Sequence, residues 1–231
     1  MQKVPASDLQ LVRLLRLASP MLPVGAFSYS QGLESVVELR WVGDEAAART
    51  WLSDVLAFSV GTFEAPVWCR LYRAFHAQDA VAAADWNDRM LSSRETRELR
   101  AETAQMGHSL RRLMEDSGEF AGCAMTILRS LPEVSFATAF SAACAAWQIE
   151  ERAGLTAYLW AWLENQVVAA MKVVPLGQLA GQRLLAALQP QLVEIAEQAG
   201  CAGDRDLSNL APGLAIASCV HEVQYSRLFR S

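Results

Sequence analysis

An all-α fold is what this sequence predicts, and three observations carry the prediction. Alternating apolar and polar residues are scarce, whereas apolar residues recur at three- and four-residue spacing along most of the chain. Helix starts carry capping side chains, and Gly and Pro punctuate the second half into segments of roughly 10 to 20 residues. Hydrophobic residues make up 52% of the 231, enough to bury a sizeable core. The expected architecture is a single-domain compact helical bundle of about nine or ten helices over residues 1–231, with residues 221–231 as a docking tail.

Pro20, Pro23 and Gly25 give a rigid turn into the first well-marked helix, and Ser28-Tyr29-Ser30-Gln31 fits a capping box for it. Asp44 and Asp79 are N-cap candidates before Ala-rich runs. Ser92-Ser93-Arg94-Glu95 fits a second capping box, opening a helix over 93–116 with one apolar stripe through Leu99, Thr103, Met106, Leu110 and Leu113. The run Arg94 to Glu102 reads as a solvated face of ion pairs or as a charged docking face, whose partner would be acidic.

Gly118, Pro132, Gly154, Pro175, Gly177, Pro190, Gly200, Pro212 and Gly213 are the expected breakpoints of the second half. The helix over 135–151 is dense in Ala, so neighbouring backbones can approach it closely. The apolar runs around 136–147 and 155–174 are interrupted by Ser141, Gln148, Glu164, Asn165 and Gln166 and read as central helices of a core, not membrane spans. Pro175-Leu176-Gly177-Gln178 is a turn, after which Gln178 and Gln182 sit one helical turn apart and can line a polar interface. The polar segment 200–213 is the expected mobile loop and a hinge for the C-terminal element.

The chain then closes with Tyr225, Ser226, Arg227, Leu228, Phe229, Arg230 and Ser231. Tyr, Arg, Leu and Phe are types that carry binding energy at the centre of protein contacts. The alternative arrangement folds Leu228 and Phe229 back onto the protein's own core.

A net charge of −5 gives no overall attraction to nucleic acid or an anionic membrane. Five widely spaced cysteines, without a Cys-x-x-Cys pair, read as reduced and mostly buried thiols, and the opening residues lack a secretion pattern, so the cytoplasm is the expected compartment. Neither a phosphate-binding loop nor a dinucleotide fingerprint nor a nucleophile elbow is present. His221-Glu222-Val223-Gln224-Tyr225 approaches a zinc-protease motif, but Tyr225 stands where the second His is required. Cys219 and His221 are the candidate metal ligands, against a reading as a buried thiol and a hydrogen-bonded imidazole. No catalytic residues and no resident cofactor are expected.

Several blocks together resemble one known family. The stretch Leu14-Leu15-Arg16-Leu17-Ala18-Ser19-Pro20-Met21-Leu22-Pro23-Val24-Gly25-Ala26-Phe27-Ser28-Tyr29-Ser30-Gln31-Gly32-Leu33-Glu34 is similar to the N-terminal signature of the UreF family of urease accessory proteins. Arg94-Glu95-Thr96-Arg97-Glu98, Met106-Gly107, Val174-Pro175-Leu176-Gly177-Gln178 with Gly181-Gln182, and 221–231 agree in order. Ala26 departs from the second Gly usual there, which restricts the turn.

The resemblance implies an all-α, non-enzymatic accessory protein that helps install nickel in urease. In that family the protein forms a homodimer, binds UreD (also called UreH) and with it recruits the GTPase UreG, whose GTP hydrolysis is coupled to nickel delivery into apo-urease. It implies UreD contact for Tyr225, Ser226, Arg227, Leu228, Phe229 and Arg230. Arg94, Arg97, Gln178 and Gln182 are further candidate partner-binding residues. Two other classes compete: a direct nickel carrier using Cys219 and His221, and a GTPase-activating protein with Arg94, Arg97 or Arg100 as catalytic arginine.

Overall fold

A computed structural model describes residues 6–120 and 122–231. Among these, all regular structure is helical: α1 Ala6–Ala18, α2 Leu33–Glu38, α3 Glu45–Val55, α4 Ala65–His76, α5 Ala80–Ser92, α6 Arg97–Ser117, α7 Cys123–Ser130, α8 Phe136–Ala146, α9 Glu151–Val173, α10 Gln178–Gln198 and α11 Pro212–Val223. A π-helical stretch, Leu56–Glu64, joins α3 and α4 into one rod, which leaves ten helical units among the described residues.

The Ala-rich α8 lies at the centre. Every residue from Ala137 to Cys144 is buried, and α4, α6, α7 and α9 pack around it. The small side chains permit this crowding: a Cβ on Gly107 of α6 would lie 2.0 Å from the Val134 carbonyl oxygen, where α6 crosses the start of α8. Trp68, Phe136, Phe140 and Tyr158 form an aromatic cluster on that centre. α9 lies along α10, α1 and α2, and α11 closes one side against α2 and α6.

The Asp caps stand as the sequence indicates: Asp44 accepts from Ala47 N and Asp79 from Val81 N and Ala82 N. Both expected capping boxes are corrected. After a 3₁₀ turn at Ala26–Ser28 the chain passes through left-handed Gln31 and Gly32, and α2 starts at Leu33, because Ser30 and Gln31 commit their side chains to distant partners. Likewise Ser93 donates to Met90 O at the end of α5, so α6 starts later, capped by Thr96.

Two breakpoints are also corrected. Gly154 lies in the first turn of α9, where a Cβ would lie 2.8 Å from the Trp68 ring, and Pro190 sits inside α10 on its solvent side. The segment 200–213 is tethered, not a free hinge. Arg70 binds Asp204, Ser208 exchanges hydrogen bonds with Thr62, and Asn209 bonds to Ser59, Ser93 and Glu95. Only Cys69 and Cys144 are buried, while Cys123, Cys201 and Cys219 are exposed, contrary to the mostly buried expectation. Among the described residues no helix is long and apolar enough to cross a membrane.

Candidate functional site

The closing segment alternates sides, as an extended chain must. Leu228 is 74% exposed, Phe229 6%, and Ser231 2%, with Arg230 exposed between the last two. Phe229 is therefore an internal anchor, not a free contact. Its ring is seated beneath Lys172, whose ammonium lies 5.3 Å from the ring centroid.

Polar contacts fasten the same side. The Glu34 carboxylate accepts from the backbone N–H groups of Leu228 (2.7 Å) and Phe229 (3.0 Å). Arg230 N donates to Ser28 O, Ser30 N and Oγ both donate to Ser231 O, and Ser231 Oγ donates to Glu102 at 2.6 Å. Tyr225 projects fully into solvent, and Ser226 is exposed beside it.

His221 is wholly buried at the root of this segment. Its Nδ1 donates to Glu98 Oε2 at 2.6 Å, Nε2 lies 3.5 Å from Glu34 Oε2, and Arg227 reaches Glu98 Oε1 at 2.5 Å. The two carboxylates face opposite ring nitrogens, so one metal ion cannot take the ring and both of them. Cys219 is exposed while His221 is buried, because residues two apart on a helix point to nearly opposite sides, so the candidate pair is split. The buried-thiol reading of Cys219 is corrected by the same fact.

The arginine run divides differently. Arg94 points inward and pairs with Glu64 at 2.6 Å, with side-chain exposures of 13% and 7%. Tyr158 donates to the other Glu64 oxygen. Burial opposes the Arg94 charge, yet Glu64, Tyr158 and Glu102 more than compensate, so its pKa is raised. Burial pushes the Tyr158 hydroxyl well up, helped by Glu64. Arg94 is thus a core ion pair and not a surface arginine. Arg97 is exposed, and Arg100 pairs with Glu133.

Glu64, Arg94, Glu102, Gln31, Tyr158 and Trp162 line a cavity of about 170 Å³ whose remaining walls are mostly apolar. Burial holds the Glu102 carboxyl above the usual carboxylate range, against the donors Ser231 and Gln31 and the Arg94 charge. On the outside, Phe27 (66% exposed) and Leu228 flank a shallow groove edged by Lys172 and Arg230. Gln178 and Gln182 are both exposed at the start of α10.

The family model of UreF matches residues 42–189. A urease accessory protein UreF from Azoarcus sp. (strain BH72) is 55% identical over 225 residues, covering 96% of each chain. This chain belongs to the UreF family. A UreF from Methylobacillus flagellatus is 50% identical over 221 residues, 96% of this chain and 97% of that protein. A bifunctional urease accessory protein UreEF from Bordetella bronchiseptica is 47% identical over 226 residues, 96% of this chain and 52% of the fusion. The matches to full-length UreF proteins extend beyond the family model and show a urease accessory role for the family.

Sequence reasoning missed the carboxylates that fasten this UreF chain's closing segment: Glu34, Glu98 and Glu102. One signal was readable. Glu102 stands beside Leu99, Thr103 and Met106 on the apolar stripe of α6, and a charge on that side needs a buried partner. Phe27 and Lys172 gave no such signal, since their meeting with 228–230 is a product of tertiary packing.

Proposed function

We propose that this UreF-family protein is a non-enzymatic adaptor in urease maturation. In this reading it joins UreD and the GTPase UreG, as a homodimer, in a complex that couples GTP hydrolysis to nickel insertion into apo-urease. The observation that carries it is the outward side of the closing segment: Leu228 and Tyr225 are exposed beside Phe27, and Lys172 and Arg230 rim the groove. Large exposed apolar groups next to cations on a chain of net charge −5 suit a partner that offers apolar and acidic groups. Ser226 and Arg227 fall on the same edge, and Gln178 and Gln182 offer a second polar surface for the GTPase. Phe229 serves by holding the segment in place.

The double change Tyr225→Ala with Leu228→Ala tests this. UreD capture should fall by at least tenfold while thermal stability stays within about 0.5 kcal/mol of the parent, as for surface changes elsewhere. Unchanged capture by a folded variant removes the docking role. Failure of the parent protein to support GTP-dependent activation of apo-urease with UreD and UreG removes the whole assignment.

A GTPase-activating reading is favoured by one observation only, the exposure of Arg97. Nickel carriage by Cys219 and His221 is not supported by their opposed orientations.

A further inference from the structure

The segment Ser28–Gln31 is held from two sides. On one side lies the closing strap: Ser28 O accepts from Arg230 N, and Ser30 N and Oγ donate to Ser231 O. On the other lies α9: Tyr29 O accepts from Asn165 Nδ2, and Gln31 Oε1 accepts from Trp162 Nε1 at 2.8 Å. Gln31 Nε2 in turn donates to Glu102 Oε1 at 2.7 Å, and Glu102 Oε2 takes the Ser231 hydroxyl.

The polarity of this chain of bonds is fixed. An indole N–H can only donate and an ionised carboxylate can only accept, so the Gln31 amide has a single orientation that satisfies both neighbours. Gln31 also sits at φ +53°, a left-handed backbone that an L-residue with a long side chain rarely adopts without outside support. The support comes from the strap on one side and α9 on the other.

We propose that Arg227–Ser231 is a displaceable strap and Ser28–Gln31 its switch, so that lifting the strap lets Gln31 leave its left-handed conformation and breaks the Glu102–Gln31–Trp162 bridge. The strap is built for removal: its outward residues Leu228 and Arg230 are free for a partner, while its inward contacts are a single aromatic anchor and a set of hydrogen bonds. A partner that draws off the strap leaves Glu102 without the Ser231 donor and releases the Trp162 indole, changing the cavity wall and α9 together. The inference rests on contacts within this chain and stands apart from the identity of the partner.

The test follows the indole N–H signals of the full-length protein by ¹⁵N-labelled NMR, with Trp162 assigned through Trp162→Phe. Phe229→Ala, which removes the anchor, should move the Trp162 signal and speed its hydrogen exchange at least tenfold. Trp86, between Arg70 and Arg89 on α5, is the control and should not move. Reciprocally, Trp162→Phe should speed exchange of the Phe229 and Arg230 amides. Loss of strap protection in Phe229→Ala with Trp162 exchange within twofold of the parent overturns the proposal. Should Phe229→Ala loosen the α8 core as well, Ser231→Ala decides. It deletes one hydroxyl, must still shift the Trp162 signal, and overturns the proposal if it does not.

Discussion

The closing segment and the arginine run of α6 carry the same kinds of residue, and the fold uses them in opposite proportions. In the strap, extended backbone sends Leu228 and Arg230 outward and Phe229 and Ser231 inward, so a two-residue period separates surface from anchor. Around the start of α6, Arg94 precedes the helix and is drawn into the core by Glu64, whereas Arg97 falls on the solvent face once helical spacing begins. A cluster of arginines is therefore no guide to a docking face until the backbone period at each residue is known.

The largest effect expected from this contrast is at Arg94. Arg94→Ala leaves the Glu64 carboxylate buried beside Tyr158 without its cation, and removing one member of a buried ion pair costs about 3–5 kcal/mol. Urea unfolding should show a correspondingly lower midpoint with an unchanged slope. Adding Glu64→Leu should recover most of the loss, because the uncompensated charge is gone. A loss below about 0.5 kcal/mol, the ordinary range of surface changes, would put Arg94 on the surface after all.

An intermediate effect is expected at Glu102, the point where strap and core meet. Its folded-state carboxyl is raised above the usual range, first by burial. Between the ordinary carboxylate range and that raised value, the folded protein holds a proton that the unfolded chain has released. Stability therefore falls as pH rises through this window. Glu102→Gln carries no such proton and should flatten that decline, so the urea midpoints of parent and variant should diverge in the variant's favour with rising pH. Parallel midpoints across the window would mean that Glu102 titrates as in the unfolded chain.

How much of this was legible in the sequence depends on the range of the forces involved. The all-α class, the Asp44 and Asp79 caps, and the burial of the 136–147 and 155–174 runs depend on local pattern, and they read correctly. The failures share one cause, tertiary partners that override a local rule. Ser30 and Gln31 look like capping residues but serve Ser231, Glu102 and Trp162, and Arg94 looks like a surface charge but serves Glu64. At the candidate site the sequence drew the eye to Tyr225 through Arg230, and it left hidden the carboxylates and the Phe27 and Lys172 groove that decide which of them face outward.

The smallest expected effect on stability is at Arg97, and it separates the two regions as binding surfaces. Arg97 is exposed on the first turn of α6, so Arg97→Ala should stay within about 0.5 kcal/mol of the parent by urea unfolding. Its functional effect depends on what the arginine does. As a docking residue, its loss weakens UreG binding and leaves the hydrolysis rate at saturating partner unchanged. As a catalytic arginine, its loss lowers the saturated rate by at least about a hundredfold, the scale on which a transition-state charge donor acts. Arg94 cannot take that role without breaking its core pair, and Arg100 would first have to leave Glu133. A full stimulated rate in Arg97→Ala would thus remove catalysis from the arginine run and leave it, like the outward half of the strap, to partner contact.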